Sequence, residues 1–404
     1  MEDITIIHRN LSRFKSLADK ILVNWDDYEF FLDFIGANFR FYLKILPLFE
    51  GYVKSKLIDN KDTTICLCNK IPQAISNYLK GRVVSAYKDM TDAFSCVKDI
   101  LAKKSADRHA FNGEFGFRGA IIKPDEPAPT RKRMFHMPFE MRHLVQDYRY
   151  SIHGLPSIYL GRSIYDCYVE LGSPSLDNFW VSLFNFSQNP ENVFGSKQHI
   201  NLIDLSLSYK KHEMDITLNH FKNKEESLTY ALDQLANDIL LWPLIMVCSI
   251  PCKYPEAKFK QEYIIPQTLY QLCSDYNEYV GIRYLSTKTR CISDNIYPHA
   301  MENFALPAHD VRKAGYCPKL ASQLVLTMPI TFNKSQDIEI YTEDSYSSFG
   351  FPILSNMHES LQRDKTILYL DKMTIYFDRL IHSFMEEKKA DLLTPLYGWK
   401  ENED

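Results

Sequence analysis

The spacing of apolar residues changes character once along the chain, and that change limits the fold more than any single motif. Up to residue 105, apolar side chains recur at intervals of three and four. Tyr28, Phe31, Leu32, Ile35, Phe39, Tyr42, Leu43 and Leu46 follow Asp26-Asp27 and stop at Pro47, the signature of a helix with one broad apolar face. A second such pattern runs from Ile75 through Leu79, Val83, Ala86, Met90 and Phe94 to Val97. Residues 1–105 are therefore predicted as a helical N-terminal domain, and no chemistry stands out in it.

Lys103-Lys104-Ser105-Ala106-Asp107-Arg108 marks the boundary. Beyond it, short apolar runs alternate. Phe115–Ile122, Phe179–Phe186, Ile200–Leu207, Gly281–Thr287 and Asn303–Pro307 read as strands. Helices are expected at 225–248, interrupted by Pro243, and from Tyr263 onward with Pro266 near the first turn. Short strands interleaved with few helices indicate an α+β domain over 106–325. Residues 326–404 form a mixed C-terminal extension with one helix from about Thr366 to Met385.

Composition excludes several classes. A net charge of −4 gives no basic stripe, so general nucleic-acid binding is not expected. The longest apolar run, Ile239–Cys248, is short for a bilayer span, and no membrane partner is expected. Met1-Glu2-Asp3 leads to no apolar signal core, which favours a cytoplasmic setting. The nine cysteines show no metal spacing, since Cys66/Cys68 are too close and Cys248/Cys252 lack a second pair. They are expected as reduced thiols, and no metal is expected. No Gly-x-Gly-x-x-Gly or Walker loop is present, so any nucleotide is held without a Rossmann or P-loop cradle.

The densest candidate stretch runs from Tyr148 to Glu170. Arg149, like Arg118 upstream, sits where a strand meets a turn, and an arginine there serves either a phosphate or a structural ion pair. Tyr159, in the strand Ser157-Ile158-Tyr159-Leu160, is either core or a stacking face. Ser163 can cap a helix that ends at Glu170, an acid among apolar residues that needs a partner or a role. Ser286 ends a strand without a Gly-x-Ser-x-Gly elbow, so it suits orienting a phosphate or amide better than nucleophilic attack. The triplet Arg131-Lys132-Arg133 is read as solvated surface or as a phosphate-facing loop.

Order and spacing join these residues into a larger pattern. Arg118 precedes Gly119. Arg149 is followed by Tyr150 and Gly154, Tyr159 by Glu170 eleven residues on, and then by Ser286 and Asn303–Pro307. This ordered set over roughly 111–310 resembles the RES family, named for its arginine, glutamate and serine. Tyr148 stands where the family commonly has Gly, and Ser151 where Asn is frequent. The intervals Arg118–Arg149 and Glu170–Ser286 are longer than in the small toxins, so the chain is similar to a long-form member.

The resemblance implies an ADP-ribosyltransferase-like fold and NAD as substrate. It implies catalytic roles for Glu170, Arg149 and Tyr159, and substrate binding by Arg118, Tyr150, Ser286 and Asn303. In that picture Arg118 and Arg149 hold the pyrophosphate, Tyr159 stacks near the nicotinamide or its ribose, and Glu170 stabilises the oxocarbenium ion. The implied activity is cleavage of the nicotinamide–ribose bond by an NAD glycohydrolase or phosphorylase, as a toxin or defence effector. Protein ADP-ribosylation, a non-catalytic NAD or ADP-ribose sensor, and a helical interaction protein with an α+β scaffold stay open. An inhibitor or antitoxin protein and a homo-oligomer are the partners compatible with it.

Overall fold

The computed structural model describes residues 2–21, 23–108, 115–186, 201–207, 209–222, 224–276, 278–288, 302–309, 312–336, 364–387 and 394–395. In chain order the elements are α1 (Ile4–Ala18), α2 (Phe31–Ile45), α3 (Gly51–Asp59), α4 (Lys61–Leu79), α5 (Val83–Arg108), β1 (Phe115–Ile121), α6 (Arg131–Met134), β2 (Ser157–Gly161) and α7 (Ile164–Glu170). There follow β3 (Phe179–Phe186), β4 (Leu202–Asp204), α8 (Tyr209–Phe221), α9 (Glu225–Cys248), α10 (Ile264–Asp275), β5 (Gly281–Leu285) and β6 (Glu302–Pro307). The last are α11 (Pro318–Ala321), β7 (Leu324–Leu326), β8 (Ile330–Thr331), α12 (Lys365–Glu387) and β9 (Thr394–Pro395). The class is α+β.

Two compact units share these elements. One comprises Met1–Ser105, Tyr148–Tyr150 and Ile203–Tyr276; the other comprises Ala106–Asp147, Ser151–Leu202 and Asn277–Asp404. One division falls after Ser105. Residues 203–276 group with the N-terminal helices, while the chain after 326 groups with the sheet unit.

The helical unit is built around α9. Its residues from Ile239 to Cys248 are all buried, which is why the sequence there is apolar on every side. Tyr42 stacks on Trp242, with ring centroids 5.1 Å apart, and donates to the Ile239 carbonyl at 3.0 Å. Trp242 Nε1 donates to the Leu17 carbonyl at 2.9 Å. By length and composition alone α9 is long and apolar enough to cross a membrane, but 89% of that window is buried inside the protein. The helix runs through Pro243 unbroken, whereas the sequence predicts an interruption.

Three other expectations shift. The Ile75–Val97 pattern is two helices, α4 and α5, because the chain turns at Gly81, whose φ of +73° suits a residue without a side chain. The helix expected from Tyr28 begins at Phe31, after an extended Phe30. Cys66 and Cys96 are joined as a disulfide, not held as reduced thiols. The helix-scale pairing of α4 with α5 brings the two cysteines together, which sequence spacing does not announce.

A buried ion network ties this unit together. Lys104 Nζ lies 2.6 Å from Asp238 Oδ1, and His212 Nε2 lies 2.8 Å from Asp238 Oδ2. Lys104 also donates to the Ser206 carbonyl. Burial alone would raise the Asp238 pKa, yet Lys104 and His212 outweigh it and hold the carboxyl well below the usual carboxylate range.

The sheet unit has strand order β5-β6-β2-β1-β3-β7-β9, with β8 also paired to β3. These pairings are antiparallel. Alternation gives the sheet two faces. Phe115, Phe117, Phe179, Val181 and Leu183 pack on one face with Ile164 and Cys167 of α7 and with Leu370, Met373 and Phe377 of α12. Ile158, Leu160, Phe184, Phe304 and Leu306 pack on the other with Met134, Phe135, Phe139 and Leu320. His136 joins this second layer. Its Nδ1 lies 2.7 Å from the Met137 carbonyl, and its Nε2 accepts from Cys317 N at 2.8 Å, which fixes a neutral ring.

Two stability tests follow from these buried groups. Replacing Lys104 by Met strands Asp238 in the interior, and we expect a loss of about 3–5 kcal/mol in urea denaturation. Burial, with Arg118 nearby, lowers the His136 pKa from 6.5 to about 4 against the Met137 hydrogen bond. The unfolded chain therefore binds that proton more tightly. The corresponding stability, of order 3 kcal/mol at most, is complete above pH 6.5 and is lost as the pH falls towards 4. Urea midpoints across that window should show this loss in the parent and lack it in His136→Asn.

Candidate functional site

The site is built where α7 meets the sheet. Ser163 and Asp166 form a reciprocal capping box: Asp166 N donates to Ser163 Oγ at 3.0 Å, and Ser163 N donates to Asp166 Oδ2 at 3.1 Å. The first turn of α7 then presses against β2 at Gly161. A Cβ on Gly161 would lie 2.9 Å from Cys167 Sγ and 3.0 Å from both Asp166 Cβ and the Ser163 carbonyl, so only glycine fits. Cys167 Sγ adds a hydrogen bond to the Phe117 carbonyl at 3.0 Å. This seating fixes where the last residue of the helix, Glu170, arrives.

Glu170 Oε1 accepts two hydrogen bonds, from Ser286 Oγ at 2.7 Å and from Asn303 Nδ2 at 2.9 Å. Ser286 follows β5 and Asn303 lies in β6, so three distant segments meet at one carboxylate oxygen. The register explains the meeting. Asn303 pairs with Gly161 on one side and with Tyr284 on the other, and alternation puts Ser286 on the face of Tyr284. Ser286 and Asn303 are buried, while the Glu170 side chain keeps 32% of its surface exposed. The carboxylate is therefore held from behind and open in front.

Lys288 completes the group and was not singled out from the sequence. Its Nζ donates to the Glu170 carbonyl at 2.8 Å and stands 3.5 Å from Glu170 Oε2. A cation there offsets both the carboxylate and the negative end of α7. The available signal was its place two residues after Ser286, whose Oγ accepts from Lys288 N at 3.3 Å.

The other expected residues fall into three places. Tyr159 is half-buried in β2 opposite Ala305. It lies two positions from Gly161, which puts it on the same sheet face as Asn303 and Ser286. Arg118 pairs with Ser182 in β1 and points to the opposite face, towards the His136 layer. Strand alternation thus puts it on the other face of the sheet from Gly161 and Asn303.

Arg149 and Tyr150 belong to the helical unit. Arg149 is buried and donates to the Cys248 and Ile250 carbonyls at 3.3 and 2.8 Å, with Cys252 Sγ at 3.7 Å. Its guanidinium also lies over the Tyr263 ring, 5.1 Å from the centroid. Tyr150 is fully buried and donates to the Cys248 carbonyl at 3.4 Å. These two side chains cap the C-terminus of α9, whose last carbonyls lack helical partners. The Arg131-Lys132-Arg133 triplet is not loop but the one-turn helix α6, capped by Thr130. Among the described residues, no group of three or more His, Cys, Asp or Glu side chains is placed to hold a metal ion.

No family model matches the chain. It is 27% identical over 318 residues to a Bacillus subtilis (strain 168) protein named "Putative toxin YopC", a match that spans 77% of this chain and 67% of that one. Among solved structures it is similar to a chain of the M. tuberculosis MbcT-MbcA toxin-antitoxin complex, at 11% identity and a TM-score of 0.24, over 58% of this chain and 92% of that chain. A score that low does not define a common fold.

The capping role of Arg149 can be measured without any substrate. Arg149→Ala leaves the Cys248 and Ile250 carbonyls buried without their charged donor. We expect a stability loss of about 1.5–3 kcal/mol by chemical denaturation, with partial recovery in Arg149→Lys.

Proposed function

We propose that the chain is a toxin that consumes NAD by breaking the bond between nicotinamide and ribose. The observation that carries this reading is the convergence of Glu170, Ser286 and Asn303, three positions marked by the RES resemblance, on one half-open carboxylate. The similarity to YopC supports the toxin part of the reading. An ADP-ribosyltransferase-like core, a cytoplasmic site of action where NAD is available, and an inhibitory antitoxin protein belong to the same proposal.

Chemically, the C1′–N bond breaks with its electron pair going to the nicotinamide nitrogen, and positive charge develops on the ribose C1′ and ring oxygen. Glu170 stabilises that charge from the open side of its carboxylate. Ser286 and Asn303 hold the carboxylate in place, so little reorganisation accompanies the reaction. Water then forms the new C1′–O bond and releases a proton, giving ADP-ribose; inorganic phosphate in its place gives the phosphate ester. Tyr159, on the same face, packs against the nicotinamide or ribose. Lys288, at the same carboxylate, adds a cation suited to the pyrophosphate.

The test is incubation of the purified protein with NAD, with and without phosphate, and identification of products by NMR. Free nicotinamide with ADP-ribose or its ester is the expected result. Transfer of ADP-ribose to protein would redirect the assignment to a transferase. Glu170→Gln preserves an acceptor oxygen for Ser286 and Asn303 but removes the charge. Turnover should fall by about 10²–10³-fold with an unchanged melting temperature. Near-normal NAD loss in that variant would sink the assignment.

A further inference from the structure

One turn before Glu170, the structure holds a second acid with an unusual environment. Asp166 is fully buried. Its Oδ2 accepts from both the backbone N and the Oγ of Ser163, at 3.1 and 2.7 Å. Its other oxygen, Oδ1, is buried with no hydrogen-bond partner. Asp166 and Glu170 stand four residues apart on α7 and so share one face of the helix.

We infer that Asp166 is the positioning residue for Glu170: it serves as a neutral carboxylic acid whose cap seats α7 on β2, so that the site carries one negative charge and not two. The inference rests on the NAD-cleavage reading only for its kinetic readout. The geometric argument has two parts. First, Asp166 Cβ lies 3.0 Å from the place a Gly161 side chain would occupy, and Gly161 pairs directly with Asn303. Any change in how Asp166 caps α7 therefore moves the helix against the strand that supplies a donor to Glu170. Second, an ionised Asp166 would leave a bare charge on Oδ1, whereas a proton on Oδ1 removes that charge and leaves Oδ2 free to accept both Ser163 bonds.

The surrounding charges agree. Burial raises the Asp166 pKa most, and Glu170 on its own helix and Glu302 of β6 raise it further, against the Ser163 hydrogen bonds. These neighbouring charges are of the same sign as an ionised Asp166, so they oppose its ionisation. A second carboxylate beside Glu170 would compete with it for Lys288 and for the developing cation; a neutral acid does neither.

The experiment uses the full chain and two variants. Infrared spectroscopy of the wild type at neutral pH should show a protonated-carboxyl C=O band that is missing from Asp166→Asn. Asp166→Asn, which is neutral and can still cap, should keep kcat within about threefold, whereas Asp166→Ala should lower kcat about tenfold or more with KM within twofold. Absence of the band overturns the charge state. A kcat in Asp166→Asn as low as that of Glu170→Gln, or an Asp166→Ala variant with unchanged kcat, overturns the positioning role. Should Asp166→Ala fail to fold, Ser163→Ala breaks the same cap and is expected to lower kcat in the same way. Wild-type protein that releases no nicotinamide refutes the functional reading alone, and the infrared band then still decides the state of Asp166.

Discussion

The two hydrogen bonds that end on Glu170 Oε1 are the interaction on which the candidate site depends. They join the end of α7 to β6 and to the segment after β5. Ser286 and Asn303 are buried, and a buried donor without an acceptor costs about 1–3 kcal/mol. The acid is therefore part of the architecture even before any substrate arrives. It also stands at the wrong end of a helix, where the backbone carbonyls already concentrate negative charge. Lys288 compensates at the same point, with one ammonium placed against both the Glu170 carbonyl and its carboxylate. Seven residues of helix thus suffice to hold a charge that the helix itself disfavours.

The arginines show the limits of sequence spacing. Arg149, where a strand meets a turn, reads as a phosphate ligand through the RES resemblance. Its partners are the carbonyls of Cys248 and Ile250, about a hundred positions away, and no local pattern announces an unsatisfied helix end at that distance. For Arg118 the limit is a different one. Its place in β1 is correct to the residue, but the face it takes is settled by pairing with Ser182, and that register comes from tertiary structure. Local features were more legible. The capping of α7 by Ser163, the helix ending at Glu170, the strands bearing Tyr159 and Asn303, and the strand that leads to Ser286 all follow from short-range rules that the fold obeys.

Domain organisation repeats the contrast. The apolar run in α9 identifies a buried helix by composition alone, yet composition does not say against what. The answer is α1 and α2, through Trp242, Leu17 and Tyr42, so that 203–276 returns to a unit begun two hundred residues earlier. The same return brings Asp238 to Lys104 and His212. None of these residues carries a sequence signal, because a lone buried lysine is unremarkable until its acid is found.

Three acids in this protein meet burial in three ways, and the comparison indicates which of them is available for chemistry. Asp238 has Lys104 and His212 as partners, so its charge survives in the interior and is fully committed to them. Asp166 has only neutral hydrogen bonds and acidic neighbours, so the proton is the cheapest way to remove its charge. Glu170 lies between these extremes. Its donors are a hydroxyl and an amide, Lys288 is 3.5 Å from its second oxygen, and a third of the side chain faces outward. A carboxylate committed to a buried cation has nothing left to offer a developing positive charge, and a protonated one offers no charge at all. Of the three, Glu170 alone combines fixed donors behind it with an open side in front. That difference in environment, more than its place in a motif, is what supports the proposal that Glu170 is the reactive acid.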